Sequence, residues 1–425
     1  MEYKFDKNKV ESRRNFIKTS VLGATGLLTQ KASRVLRPYN ELGAVHTNQT
    51  ESVERNYEAK PEYEDSMKKL MITLPKGFDI DIQFQYDRGG TIFYEDMLRN
   101  LPAYTELTVV GGTKELWNFN QLAEQMGIKN VIRLSRVYKH DSEEWAQDYG
   151  KSISINGKRK FLLPMAVQIE LDNENDWVDS GRMQERAGYM LEALGADQIE
   201  RADFYFAGGN MMFDHTSNSL RLIIGYNNIH TTIEQYKVRG QVLTPQQVAE
   251  KISSQFGGAE VVVIGTEQQA DSFYHIDLNF IILKNKQVVM VEPLPEVDMK
   301  SSDLEEIQRQ KQCKQRLQNL GYEILTVKHS LQDIKNGLSS INATPYIDLK
   351  TGKNMVWFPV FPAEVTGDFF EDRVITKEDL TGKAKQAYEV FEKCGYTPIP
   401  VRNPATNKQG SNYKAGTHCR LNVLE

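Results

Sequence analysis

"TKELWNFNQLAEQMGIKNVIRLS" (residues 113–135) reads as one helix, a glycine stop and a short strand. Leu116, Phe119, Leu122, Ala123 and Met126 recur at three- and four-residue spacing and line one helix face, with Thr113 as the N-cap candidate. Gly127 stands where a left-handed C′ residue is needed, because glycine has no Cβ to oppose that conformation. Val131 to Leu134 then reads as the strand. Helix, glycine and strand in direct succession form the connection of an α/β module.

The same phrase returns four times along the chain. It closes at Gly195 in "GRMQERAGYMLEALGADQIERADFYF" (181–206) and at Gly257 in "TPQQVAEKISSQFGGAEVVVIG" (244–265). A fourth instance runs from Ser302 to Val327 and closes at Gly321. The fifth, "TKEDLTGKAKQAYEVFEKCGYTPIPV" (376–401), closes at Gly395. The closing glycines are 68, 62, 64 and 74 residues apart, a pseudo-five-fold repeat of about 67 residues. That period is too long for short solenoid repeats and suits a larger supersecondary unit. Leu220–Ile224, Ile276–Leu283, Gln287–Glu292 and Met355–Val360 supply further strands. The expectation is five α/β modules closed around an axis, which leaves no sheet edge bare; the alternative is five unrelated units in an open sheet.

Counting forward from each glycine groups the polar residues. Asp148 follows Gly127 by 21, and Asn210 and Asp214 follow Gly195 by 15 and 19. His275 and Asp277 follow Gly257 by 18 and 20, Asn342 follows Gly321 by 21, and Cys419 follows Gly395 by 24. If the modules are related by rotation, these side chains converge on one central site. In "FYHIDLNFIIL" (273–283), His275 and Asp277 are two apart, so an extended segment projects both from one face ahead of an apolar strand. Trp145, beside Asp148, offers an apolar wall or a stacking surface for a planar cation. Gly208-Gly209-Asn210 permits close backbone approach. Cys419 lies beside His418 after a small-residue approach, Ala415-Gly416-Thr417. A reactive thiol needs an electropositive, partly accessible setting, so its neighbours matter more than the thiol itself.

Composition narrows the classes. The 425 residues carry a net charge of −5, with 40% hydrophobic and 26% charged residues, so no basic footprint for nucleic acid is present. No apolar run approaches the roughly 20 residues a membrane span needs. Three cysteines, Cys313, Cys394 and Cys419, rule out a disulfide framework. At the N-terminus, "ESRRNFIKTSVLGATGLL" (11–28) pairs Arg13 and Arg14 with Phe16, Lys18 and a modest apolar stretch, and resembles a twin-arginine export signal. The expected organisation is therefore an export signal over 1–33, a polar linker or arm over 34–68, and one catalytic domain over 69–425. Such a protein would work in the periplasm or outside the cell, or in the cytoplasm if residues 1–33 are only a basic amphipathic start.

Taken in order, "WAQDYG" (145–150), "GGN" (208–210), "HID" (275–277) and "GTHCRLNVLE" (416–425) resemble motifs of the guanidino-group-modifying enzymes, the pentein superfamily. The likeness spans roughly residues 70 to 425. The 145–148 run and His418-Cys419 with Asn422-Val423 are most similar to protein-arginine deiminases. Gly208-Gly209-Asn210 is more similar to agmatine deiminases, whose motif has a glutamate where this chain has Ala207. The resemblance implies a five-bladed α/β propeller in which Asp148 and Asp277 grip a guanidinium, Cys419 attacks its carbon and His275 moves protons. Trp145, Asn210, Asp214 and Asn342 would line the substrate. The implied reaction is hydrolytic deimination of an arginine side chain in peptide or protein, giving citrulline and ammonia. Deimination of agmatine or free arginine, amidino transfer, a catalytically inactive guanidino-binding propeller and a cysteine protease are the alternatives. The chemistry requires no cofactor and no metal. Calcium dependence occurs in animal relatives, but the acidic run "LDNENDWVD" (171–179) has no clear calcium motif and reads as a solvated loop.

Overall fold

Each of the five glycines that closes a module has a positive φ: +65° at Gly127, +85° at Gly195, +62° at Gly257, +87° at Gly321 and +81° at Gly395. A strand follows every one of them. In the computed structural model these are β4 (Ile132–Arg136), β7 (Ile199–Arg201), β10 (Glu260–Ile264), β13 (Glu323–His329) and β16 (Thr397–Arg402), numbered in chain order. The structure describes residues 57–75, 77–80, 89–136, 150–166, 190, 194–215, 219–266, 275–294, 300–404 and 417–425. Within the unit Arg55–Glu425, these form an α/β fold with five small sheets.

The sheets share one plan. In the third, β8 (Met211–His215) runs antiparallel to β9 (Leu220–Gly225), which runs parallel to β10. The fourth repeats this with β11 (Phe280–Leu283), β12 (Gln287–Pro293) and β13. The fifth uses β14 (Thr344–Ile347), β15 (Asn354–Val360) and β16. In the second, β5 (Lys151–Ile155) enters against β6 (Lys158–Leu163), β6 runs parallel to β7, and β1 (Tyr57–Glu58) adds to the outer side of β5. Parallel neighbours need a crossover. The helices Thr113–Gln125, Pro245–Gln255, Ser301–Asn319 and Gly382–Lys393 supply it for four of the five closing strands. The helix expected over 181–194 lies almost wholly outside the described residues.

The first sheet draws on both ends of the described chain. β2 (Lys69–Thr73), β3 (Glu106–Gly111) and β4 are parallel, and the antiparallel entry strand is β17 (Leu421–Val423). A buried ion pair reinforces this junction. Asp96, on the helix Gly89–Asn100, accepts from the backbone N, Nε and Nη2 of Arg402 on β16 at 2.9, 2.8 and 2.7 Å.

Packing follows the sequence pattern with two local changes. The helix Thr113–Gln125 buries Leu116, Phe119, Leu122 and Ala123 against Leu70, Ile72, Leu107 and Val109, at about 1.5–3 kcal/mol for each large side chain removed from water. Its N-cap is Gly112 and has no side-chain cap bond, so Thr113 opens the helix and does not cap it. β4 begins one residue later than expected and is an edge strand. Val131 and Leu134 are therefore exposed, and Arg133 and Arg136 add the charge that discourages edge pairing.

The expected arm over 34–68 ends earlier among the described residues. Tyr57, Ala59, Tyr63, Asp65 and Met67 are all buried. Buried residues alternate with more exposed ones from Tyr57 to Met67, a two-residue period that docks one side of this segment. No described helix is long and apolar enough to cross a membrane.

Candidate active site

A short turn precedes the entry strand of four sheets; Asn210, Asp277, Asn342 and Cys419 lie on these turns, His275 caps one of them, and Asp214 lies on β8. Gly208–Asn210 precedes β8, Ile276–Leu278 precedes β11, residues 339–342 precede β14, and the helical turn Thr417–Arg420 precedes β17. The shared phase counted from the glycines thus has a structural basis: it marks the loop that feeds each antiparallel entry strand. Trp145 and Asp148 lie outside the described residues, as does the acidic run 171–179. Gly150, two residues beyond Asp148, is described, and its carbonyl accepts from Asn422 Nδ2 at 2.8 Å.

His275, Asp277 and Cys419 meet. One nitrogen, oxygen or sulfur atom from each lies within 4.8 Å of the others. Cys419 Sγ donates to Asp277 Oδ2 at 3.1 Å, and His275 Nδ1 lies 3.8 Å from Asp277 Oδ1. The local conformation differs from the extended segment expected. Residues 276–278 form a 3-10 turn, and only His275 is extended. The turn still brings both side chains to one place, because it is packed against Gly209. A Cβ on Gly209 would come within 2.6 Å of His275 Nδ1 and 2.7 Å of Asp277 Oδ2. Only a residue without a side chain fits that approach.

Asn342 and Asn210 are built into the framework of the site. Both are fully buried. Asn342 Nδ2 donates to Cys419 Sγ at 3.3 Å and to the Asp277 carbonyl at 3.2 Å, while its Oδ1 accepts from the Cys419 backbone N at 3.2 Å. One amide therefore holds the thiol, its backbone and the 3-10 turn together. Asn210 Oδ1 accepts from Ile276 N at 3.2 Å, and Asn228 Nδ2 donates to the Asn210 carbonyl at 3.1 Å. Asn210 thus sets the height of the His275–Asp277 turn. Asp214 is also placed differently from the expectation. Tyr63 donates to its Oδ1 at 2.5 Å and Tyr322 donates to its Oδ2, so both oxygens hold structure.

Two residues beyond the expected set complete the cluster. His418 Nδ1 is 2.7 Å from Asp277 Oδ2, and His418 Nε2 is 2.6 Å from Glu62 Oε2. Lys151 Nζ donates to the other Glu62 oxygen at 2.5 Å. Burial opposes charge on the His418 ring, but Glu62 and Asp277 outweigh it and push the imidazole up to about 9. Burial would likewise raise Asp277; the bonds and charge of His418, the charge of His275 and the Cys419 contact hold it below the usual carboxylate range. Glu62 is held low in the same manner by His418 and Lys151. Nothing in the sequence flags Glu62, which sits on the polar phase of an alternating stretch. His418 is flagged only by its neighbour Cys419.

Asp277 leaves one atom over. Its Oδ1 is buried and accepts no hydrogen bond among the described residues, although the side chain is only 2% exposed. A buried, ionised oxygen of this kind is costly unless something donates to it. Chemically, the cluster offers an acceptor for a planar cation, a sulfur nucleophile and an imidazole within 4.8 Å; the same three donors could hold a metal ion.

No family model matches the sequence, and no curated protein does. Solved structures do match. The C. jejuni agmatine deiminase aligns at a TM-score of 0.53 and 14% identity, covering 88% of this chain and 98% of that one. A Porphyromonas gingivalis protein assigned as an arginine deiminase aligns at 0.57 and 15%, covering 86% and 97%. The agmatine deiminase of Enterococcus faecalis aligns at 0.52 and 14%, covering 86% and 95%. At such identities the likeness is one of fold: this chain has the fold of deiminases from the guanidino-group-modifying, or pentein, superfamily.

Proposed function

We propose that this protein is a hydrolase that deiminates a guanidino group through a covalent intermediate on Cys419. The five sheets would be the blades of a propeller, with the turns ahead of the entry strands meeting on its axis. The observation that carries the reading is Asp277 Oδ1, buried near the Cys419 thiol with no hydrogen-bond donor among the described residues. A guanidinium N–H donating to that oxygen would satisfy it and hold the planar cation for attack by sulfur. Asp148 takes the role the resemblance gives it, as the second carboxylate.

The steps balance without a cofactor. The Cys419 thiol donates to Asp277 Oδ2. A bound guanidinium offsets the carboxylate charge, so the thiol can release its proton to His275 and sulfur bonds to the guanidinium carbon. His275 returns the proton to the departing nitrogen, and ammonia leaves. Water, deprotonated by the same imidazole, then attacks the thiouronium carbon. The carbon–sulfur bond breaks, giving a ureido product and restoring the thiol.

The substrate proposed is an arginine side chain in peptide or protein, processed after export by the signal at residues 1–33. Support comes from Ala207, which stands where the agmatine deiminase motif carries a glutamate that could hold a free amine. The test is a panel of an arginine peptide, free arginine and agmatine, each with and without calcium, scored for ureido product and ammonia. The peptide should give the highest kcat/KM, calcium should change nothing, and Cys419→Ala should be inactive. Faster turnover of agmatine would overturn the substrate assignment; ureido formation by Cys419→Ala would overturn the mechanism. A second reading follows from the close donors of His275, Asp277 and Cys419: a metal centre. It predicts that a chelator abolishes activity and that added zinc restores it.

A further inference from the structure

The sequence reading leaves Glu62 outside the catalytic domain, yet its side chain lies at the end of a buried chain of charge. Lys151, Glu62, His418 and Asp277 alternate in sign and end at the Cys419 thiol. Both ring nitrogens of His418 face carboxylates, so both must carry protons for the two contacts to be hydrogen bonds. His418 is 1% exposed and has no room to find water instead.

We propose that Glu62 is a positioning residue for the nucleophile: it pins the His418 imidazole against Asp277 Oδ2, which turns Oδ1 toward the substrate. The inference rests on the roles of Cys419 and Asp277 given above. Glu62 acts through His418 and touches neither the sulfur nor the reacting carbon.

The backbone that delivers Glu62 is fastened on both sides. Tyr57 and Glu58 pair with Ile155 and Ser154 on β5. Residues 62–64 form a 3-10 turn, from which Tyr63 donates to Asp214 and Glu64 meets His215. Ile347 N donates to the Asp65 carbonyl at 2.8 Å, and Thr105 Oγ1 donates to the Met67 carbonyl at 2.7 Å. These anchors reach β5, β8, β14 and the turn before β3, so the segment straps several sheets while presenting one carboxylate to the site. A side chain held this way sets an angle; a loose surface glutamate would not.

Removing the Glu62 charge takes away the carboxylate that meets His418 Nε2. The imidazole then either shifts or loses a proton, and Asp277 loses the partner that fixes its Oδ2. The substrate-facing oxygen is misdirected, while the groups that contact substrate remain. Rate should therefore suffer more than affinity.

Four proteins test this: wild type, Glu62→Gln, Glu62→Asp and Glu64→Gln. Two readouts are taken on the folded fraction of each, judged by near-UV circular dichroism. The first is kcat and KM with the best substrate of the panel; the second is the rate at which iodoacetamide labels Cys419, which needs no substrate. Glu62→Gln should lower kcat about 10- to 100-fold, the effect of one hydrogen bond to a charged group. KM should stay within about threefold, and labelling should change in the same variant. Glu62→Asp, which keeps the charge, should recover part of kcat. Glu64→Gln, on the same strap but paired with His215 at the surface, should match wild type. Unchanged kcat and labelling in Glu62→Gln, or a loss of equal size in Glu64→Gln, would overturn the proposal. A wild type that makes no ureido product overturns the function instead, and the labelling comparison then still decides the role of Glu62.

Discussion

Asp96 and Asp277 are both buried carboxylates that meet a buried cation from late in the chain, yet their oxygens are used differently. Asp96 gives Oδ2 to the backbone and Nε of Arg402, and Oδ1 to Arg402 Nη2 and to Arg99 at 3.3 Å. Arg402 Nη1 donates onward to the carbonyls of Phe369 and Glu371 at 2.9 and 2.6 Å. Neither Asp96 oxygen is left over. Asp277 concentrates His418 and Cys419 on Oδ2 and leaves Oδ1 without a donor among the described residues. A closed network stabilises a junction; an open one keeps a buried acceptor ready for a ligand. The same residue type serves the fold at one place and the proposed chemistry at the other.

Neutralising each carboxylate should separate the two roles. Asp277→Asn removes the charge proposed to hold the guanidinium. It should lower kcat/KM by at least about 100-fold, comparable to losing a charge-stabilising group in other active sites. Folded yield should persist, because the amide can still accept from His418. Asp96→Ala should do the reverse: it leaves Arg402 buried and unpaired, costing roughly 3–5 kcal/mol in urea unfolding, with specific activity of the folded fraction unchanged. If both variants lost activity and stability together, the division between a closed and an open network would fail.

A smaller effect concerns pH. An unfolded imidazole titrates near 6.5, whereas His418 is pushed up to about 9. Its contribution to stability is therefore complete below about pH 6.5 and is lost as the pH rises through about 9. Glu62 and Asp277 act in the opposite direction: held low, they contribute above the ordinary carboxylate range and lose that contribution on acidification. The urea midpoint should fall between pH 7 and pH 9.5, and that fall should shrink in His418→Gln. A midpoint equally pH-dependent in that variant would remove His418 from the network.

Much of the plan is legible in the sequence. Five glycines at a period near 67 residues marked the turns, because a left-handed C′ position leaves a compositional trace. Counting from them picked out His275, Asp277, Asn342 and Cys419, which do meet. Orientation was not legible. An asparagine at the right phase can face a ligand or the protein itself: Asn210 holds the Ile276 backbone, and Asn342 holds the backbone and sulfur of Cys419. Asp214 stood at the right phase too, but two tyrosines distant in sequence claim its oxygens. Glu62 escaped altogether: it stands on the polar phase of the alternating stretch 57–67, where a carboxylate reads as solvent-facing, and its meaning comes from His418, 356 positions away.

The central claim is that Cys419, alone among three cysteines, is the nucleophile for a guanidino carbon. Burial pushes Cys313 up to about 12 and Cys394 up to about 11, so neither supplies thiolate near neutral pH. The direct measurement is peptide mass spectrometry after treatment with 2-chloroacetamidine, which presents an amidinium beside a displaceable chloride. The account predicts label on Cys419 only, slowed by an arginine peptide and abolished in Cys419→Ser. Equal labelling of Cys313 or Cys394, or labelling of Cys419 that an excess of every guanidino substrate leaves untouched, would contradict it.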